Sequence, residues 1–196
     1  MAYVDTKETV KADPNLYVPR QARIVETRDF TAAEKYFRVE FLDGKPLGHH
    51  PGQFVMVTLF GVGEAAISVS SGPGNSPGFE MVVRKVGEVT NVMHTYGPGK
   101  LIGIRGPYGH GFDPNTFKGK DLIFVVGGLG LVPLRSLILP VIQNPREYKS
   151  LHLLYGTKKP SLFLFREEMK QWEKETPLKI HAIVDAWLDS HFEYVE

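Results

Sequence analysis

One stretch, DLIFVVGGLGLVPLRSLI from Asp121 to Ile138, limits the fold of this chain more than any other. An apolar run breaks into glycines and restarts at once as an apolar helical segment, with Pro133 in the first helical turn, where a missing N–H has no intrahelical partner to lose. Gly127, Gly128 and Gly130 permit positive φ and a close backbone approach that a side chain would block. The amides of the helix start then converge, with the positive end of the helix dipole behind them. That suits a phosphate, and between a strand and a helix it suits the pyrophosphate of a dinucleotide. The third glycine of the usual G-x-G-x-x-G is proline here, and no acidic residue follows at the expected distance after a second strand. On this stretch alone, a glycine-rich turn without a ligand stays open.

Around that stretch the chain changes grammar. From residue 21 to about 112, the β-rich runs ARIVETRDF, YFRVEFL, QFVMVTLF, AAISVSS, FEMVVRKV and LIGIRG are separated by DG, PG, GPG and GP turns. Six such runs predict a small antiparallel Greek-key barrel whose closure hides its edges. Phe37, Val39 and Phe41 alternate with Arg38 and Glu40, one face inward and one wet. After Asp113 come DLIFVVGG, LVPLRSLILPVIQ, SLHLLYG, SLFLFREEMKQWEKE and LKIHAIVD. Strand, helix, strand, helix, strand predicts an α/β doubly wound parallel sheet. In its second helix Leu162, Phe165, Met169 and Trp172 recur at helical spacing after a start at Pro160 or Ser161, a stripe that packs on the sheet. HGFDPNTFKGK, residues 110–120, reads as the linker. The expected organisation is an N-terminal extension over 1–20, a β-barrel domain over 21–113 and an α/β domain over 114–196.

Composition removes whole classes of function. The absence of cysteine among the 196 residues excludes disulfides, thiolate zinc sites, cysteine nucleophiles and an iron–sulfur cluster held by cysteines of these residues. None of the seven histidines forms an H-x-x-x-H pair, and His49 and His50 fall on a loop before Pro51, so no metal site is expected. A net charge of +1 with mixed signs gives no basic stripe for nucleic acid. No apolar run approaches the roughly 20 residues of a membrane span, and the polar start MAYVDTKETVKADPNLYVPR lacks a signal-peptide core. The expectation is a cytoplasmic protein.

Two further motifs carry chemistry. AAISVSS sets hydroxyls and backbone amides on alternating sides of a strand, where they either bond a cofactor edge or are solvated. VVRKVGEVTNVMHTYGPGK offers Arg84, Gly87 and Thr90, with a short helix expected to begin near Thr90 and its free amides and hydroxyl forming an anion pocket.

The succession PGQFVMV, AAISVSSGP, FEMVVRKVGEVTNVMHTYGPG, IGIRGPYGHGF and FVVGGLGLVPLRSLI resembles the ferredoxin–NADP reductase superfamily across the chain after residue 20. Within it the chain resembles the flavin-containing gamma or electron-transfer subunits of anaerobic oxidoreductases, such as sulfhydrogenase gamma, the dihydroorotate dehydrogenase electron-transfer subunit and the corresponding subunit of anaerobic sulfite reductase. The resemblance implies an FAD-binding barrel followed by a domain that binds NAD(H) or NADP(H). The family's R-x-Y/F/I-S/T flavin strand falls on Ala65, Ala66, Ile67 and Ser68, with Ile67 along the flavin ring and Ser68 as the catalytic candidate, orienting the ring's polar N5 edge. Val82 and Val83 lead to Arg84 near the pyrophosphate, and the family's G-x-V/L-S/T phosphate turn falls on Gly87, Glu88, Val89 and Thr90. GPYG at 106–109 matches the turn that closes the barrel. Gly127, Gly128, Gly130, Val132 and Pro133 would approach the nicotinamide nucleotide, and Gly156, Thr157 and Lys158 would lie near the adenosine ribose. NADH and NADPH both stay open, since Lys158 and Lys159 either meet a 2′-phosphate or are solvated.

Two departures stand out. Ala65, preceded by Glu64, replaces the usual arginine of the flavin strand, which implies weaker flavin affinity and leaves phosphate neutralisation to Arg84. The family also continues past the third strand of its nucleotide domain to a nicotinamide-contacting segment and, in the multisubunit relatives, a cysteine-rich 2Fe–2S loop. The tail AWLDSHFEYVE matches neither, so the expected nucleotide domain is C-terminally incomplete. The resemblance implies an enzyme that moves electrons between NAD(P)H and an iron–sulfur partner subunit or ferredoxin, within a hetero-oligomeric redox complex. The alternatives are a non-catalytic flavin relay or assembly subunit without a working NAD(P) site, and a flavin-free binding module on the same fold.

Overall fold

Period-2 alternation over the first hundred residues becomes an antiparallel sheet, and the longer apolar runs after it become a parallel one, in a computed structural model that describes residues 17–185. The expectations for the extension before residue 17 and for the tail 186–196 lie outside the described residues. In the first sheet β1 (Arg20–Asp29), β2 (Glu34–Phe41), β3 (Phe54–Leu59), β4 (Gly63–Ser68), β5 (Gly78–Arg84) and β6 (Leu101–Tyr108) lie in the order β4-β3-β6-β1-β2-β5. Phe37, Val39 and Phe41 point inward as their alternation predicts, and pack with Ile24, Val57, Met81 and Ile104 in one buried cluster. Burial of these side chains, worth about 25 cal/mol per Å² of apolar surface, curls the sheet around them.

The expected barrel does not close. β4 and β5 are the edges of the sheet, and no ladder joins them. Just past β4, Ser70 N–H donates to Glu80 O at 2.8 Å and pins one end of the seam. At the other end sits α1 (Glu88–His94), whose Val89 packs so tightly on β4 that a Cβ added at Gly63 would lie 3.2 Å from Val89 Cγ2. The seam is pinned at one end and wedged at the other, so the strands stay apart between.

The second sheet holds β7 (Asp121–Gly127), β8 (Ser150–Thr157) and β9 (Leu178–Val184) in parallel, in that order. Its crossovers carry α2 (Leu131–Gln143) and α3 (Arg166–Glu175). Phe124, Leu153 and Leu178 bury one face against Ile138, Val141, Met169 and Trp172 of the helices. Right-handed crossovers running one way across a sheet put both helices on that face. The opposite face is bare among the described residues, with Ile123 and Val125 at 63% and 70% exposure, where a doubly wound sheet is expected to be covered on both sides.

The second helix starts later than its apolar spacing predicts. Pro160–Leu162 forms a 3₁₀ turn, and Phe165 at φ +55° occupies the N-cap position, so α3 begins at Arg166. A left-handed phenylalanine costs roughly 1–3 kcal/mol. Here the ring is buried edge-on against Phe30, with centroids 4.9 Å apart, and under the Arg135 guanidinium at 4.5 Å. Tyr36 and Val82 of the first sheet belong to the same buried cluster as the helices, so the two sheets share a core. Burial, and then the neighbouring Glu80 carboxylate, push the Tyr36 phenol up to about 12. Among the described residues no helix is long and apolar enough to cross a membrane, and no group of three or more histidine, aspartate or glutamate side chains is placed to hold a metal.

His49 gives the fold an acid sensitivity. Burial holds its imidazole below the usual range, against a hydrogen-bonding contact of Nε2 with Ser71 O at 3.0 Å. The unfolded chain then binds the proton more readily, so this contribution is present above about pH 6.5 and is lost as pH falls through the unfolded value toward the lower folded one. Urea unfolding at pH 7.5 and 5.5 is expected to show a loss of stability in acid that is smaller in His49→Gln.

Candidate functional site

Small and apolar residues on the two edge strands leave a cleft of about 450 Å³ in the open seam. Ala65, Ala66, Ile67 and Ser68 of β4 form one wall, Val82, Val83 and Arg84 of β5 another, and Val86 and Thr90 the end. Leu129, Gly130, Val132 and Pro133, at the start of α2, face them from the parallel-sheet side. A second cleft of about 670 Å³ lies at the carboxyl ends of the parallel strands, lined by Gly127, Gly128, Gly130, Gly156, Thr157 and Lys158, with Ala33, Glu34, Leu162, Leu164 and Asp185 around them. Arg84, Leu129 and Gly130 line both, so the clefts adjoin. Each volume falls in the range of about 300–1,000 Å³ typical of cofactor pockets.

The glycine turn is held from below. Gly128, at φ +50°, places its carbonyl 3.0 Å from Tyr155 Oη, which donates to it and accepts the Leu164 N–H at 3.2 Å. One buried tyrosine thereby ties the turn to the 162–164 segment on the far wall of the second cleft. Gly130 is the N-cap of α2; no side chain caps this helix start, and its first turn has no acidic residue. The 3₁₀ turn Gly128–Gly130 runs directly into α2, with Leu131 N–H bonded back to Gly128 O, and no side chain caps the start of that turn either, so the turn, with the helix dipole behind it, is the expected seat of an anion.

Arg84 is less free than the sequence reading requires. Its Nε donates to Glu34 Oε1 at 2.6 Å, while a Cβ added at Gly128 would lie 3.9 Å from its Nη2. The guanidinium therefore stands where the clefts meet, partly neutralised by a carboxylate that is 4% exposed. Thr31, in the turn between β1 and β2, holds Glu34 in place: its Oγ1 donates to the carboxylate and accepts the Glu34 N–H at 3.0 Å.

Thr90 also differs from expectation. The helix begins two residues earlier, with Gly87 as N-cap, so Thr90 is its third residue. Its hydroxyl accepts the N–H groups of Val86 and Gly87 and donates to Gly87 O, each at 3.0 Å. That hydroxyl stitches the turn and has nothing left for a phosphate. Gly87 lies exposed at the N-cap, and Val89 packs against the first sheet's core; neither lines a cleft. Glu64, beside the alanine in the arginine position, is engaged elsewhere. Arg105, bonded through Nη2 and Nε at 2.5 and 3.0 Å, holds its carboxyl below the usual range, with Thr58 adding a bond. The sequence reading missed Glu34, Leu129, Tyr155, Leu164 and Asp185. Only Glu34 had a local signal, the T-x-x-E spacing from Thr31.

Comparison with known proteins bears on the family and the fold. Residues 124–190 match the oxidoreductase NAD-binding domain family. Sulfhydrogenase 2 subunit gamma of Pyrococcus furiosus is 41% identical over 158 residues, which cover 79% of this chain and 54% of that protein. A probable dihydroorotate dehydrogenase B (NAD(+)) electron transfer subunit of the same organism is 31% identical over 166 residues, covering 85% and 56%. The chain thus spans about half the length of the curated relatives it matches. Among solved structures, the ferredoxin reductase in carbazole 1,9a-dioxygenase shares the fold with a TM-score of 0.74 at 20% identity, covering 89% of this chain and 52% of that one.

Tyr155→Phe tests the support beneath the glycine turn. Loss of the hydroxyl leaves the Gly128 carbonyl and the Leu164 N–H without this partner, and urea unfolding is expected to show a loss of about 1–3 kcal/mol.

Proposed function

We propose that this chain, which has a ferredoxin-reductase-like fold and matches the oxidoreductase NAD-binding domain family over residues 124–190, is the flavin-bearing subunit of a cytoplasmic redox complex, taking electrons from NADH or NADPH and passing them to an iron–sulfur partner subunit or ferredoxin. The observation that carries this reading is the meeting of the two clefts at Leu129, Gly130 and Arg84. An FAD and a nicotinamide nucleotide bound there together would supply hydride transfer to the flavin and single-electron release from it.

The residues present fit both groups. The seam has short side chains on β4, a hydroxyl at Ser68 and an apolar wall at Val82, Val83 and Val132. Ala65, Ala66 and Ile67 would border the flavin ring, with Ser68 as the hydrogen-bonding residue at its polar edge, in an orienting role. Arg84 would face the phosphates, sharing its charge with Glu34. The turn at Gly127, Gly128 and Gly130, with the dipole of α2 behind it, would receive the pyridine nucleotide's phosphates, with Gly156, Thr157 and Lys158 along its ribose. With both groups bound, Leu129, Val132 and Pro133 would border the junction of the clefts as an apolar wall. The relatives, a gamma subunit and an electron transfer subunit, support the assignment to a multisubunit assembly.

The visible spectrum of the purified chain, recorded after incubation with FAD and then with NADH or NADPH under anaerobic conditions, tests the proposal. Flavin is expected to remain with the protein through gel filtration and to bleach on addition of at least one of the two nucleotides. A colourless protein that retains no FAD rejects the flavin assignment. Retained flavin that neither nucleotide bleaches assigns the chain a relay role instead.

A further inference from the structure

Arg135 is the one charged residue of α2, and its side chain is only 8% exposed. Its Nη1 donates to Glu80 Oε2 at 2.6 Å and to Ser70 O at 3.0 Å. Nε and Nη2 fork onto Glu168, at 3.0 and 2.8 Å to Oε1, and the guanidinium lies over the Phe165 ring. Ser70 and Glu80 are the pair that pins the closed end of the seam. Glu168 is in the first turn of α3, directly after the 162–164 segment that walls the second cleft. One turn before Arg135, Val132 and Pro133 wall the seam cleft. The next residue adds a pin of its own: Ser136 Oγ accepts the Gly52 N–H at 2.7 Å.

We infer that Arg135 is a positioning residue that sets the separation of the two clefts, an inference that rests on the function proposed above. It clamps both strands of the seam to α2 and draws the start of α3 to the same point, so the walls of both clefts are referred to one guanidinium. Without it, the Glu80 and Glu168 carboxylates, at 24% and 28% exposure, would lose the cation they share, repel, and let the sheets drift apart. A lysine keeps the charge but not the fork, and cannot reach three partners in different directions from one ammonium. Burial opposes the Arg135 charge, but Glu168 and Glu80 outweigh it and raise its pKa, so the clamp keeps its charge at any working pH. Hydride transfer demands close alignment of donor and acceptor, and a displacement of about 1 Å costs on the order of 10²-fold in rate.

The test uses the lack of cysteine in the chain. Cysteines introduced at the exposed Lys100 and Lys170 take spin labels that report the distance between the first sheet and α3. The unsubstituted background is expected to give one narrow distance distribution, Arg135→Gln a broad or shifted one, and Arg135→Lys an intermediate one. In stopped-flow reduction of the FAD-loaded chain, Arg135→Gln is expected to slow flavin reduction on the order of 10²-fold, with FAD content and nucleotide affinity little changed. An unchanged distance distribution in Arg135→Gln overturns the inference, as does a rate loss that tracks lost FAD. Should Arg135→Gln not fold, Glu80→Gln and Glu168→Gln each cut one arm of the clamp, and unchanged distances in both overturn it equally. If the chain retains no FAD at all, the proposed function falls, and the label distances still decide the role of Arg135.

Discussion

An antiparallel sheet that curls without closing leaves two edges facing each other, and in this protein the gap between those edges determines what can be built around it. Strand edges display unpaired backbone groups and are ordinarily covered or blunted. Here β4 and β5 are kept apart by Val89 at one end and held together at Ser70 and Glu80 at the other. The intervening space is walled by Ala65, Ala66, Val82 and Val83, side chains too short to fill it. The start of α2 covers it from outside. Had β4 carried large residues on that side, the edges would have packed together and no cleft would exist.

The second constraint is the shared core. Tyr36 and Val82 join Leu131, Ile138 and Phe165 in one buried cluster, so the parallel sheet cannot lift from the seam without exposing apolar surface. Polar contacts then fix the register of that packing. Arg135 and Ser136 reach across from α2, while Tyr155 ties the glycine turn to the opposite wall. Apolar burial supplies the attraction, and the hydrogen bonds choose one arrangement among those that burial would tolerate.

Periodicity made much of the fold legible. The helix LVPLRSLILPVIQ runs over Leu131–Gln143 as its pattern requires, and the nine strands of the described residues sit within a few residues of their apolar runs. What the pattern could not convey lies in pairings between distant residues. Whether β4 meets β5 depends on what stands between them, and local alternation holds no record of that. Phe165 keeps its helical spacing in the sequence, yet its ring is drawn toward Phe30, and the backbone leaves the helical region to follow it. Within the site, the glycines were readable because each answers to a local steric demand, whereas the small residues of β4 were placed there by family resemblance. Glu34 carries a local hint in its spacing from Thr31, but its pairing with Arg84, like the pairing of Arg135 with Glu80 and Glu168, joins residues 50, 55 and 33 apart, which no local signal marks.

The uncovered side of the parallel sheet has a practical cost. Among the described residues β7 presents Ile123 and Val125 to water and is an edge strand, so apolar surface and a strand edge coincide along one margin. Two molecules meeting there would gain both apolar contact and a continued ladder. Concentrated samples will therefore tend to stick along this margin first, and a single lysine in place of Val125 would keep them dispersed without disturbing either cleft.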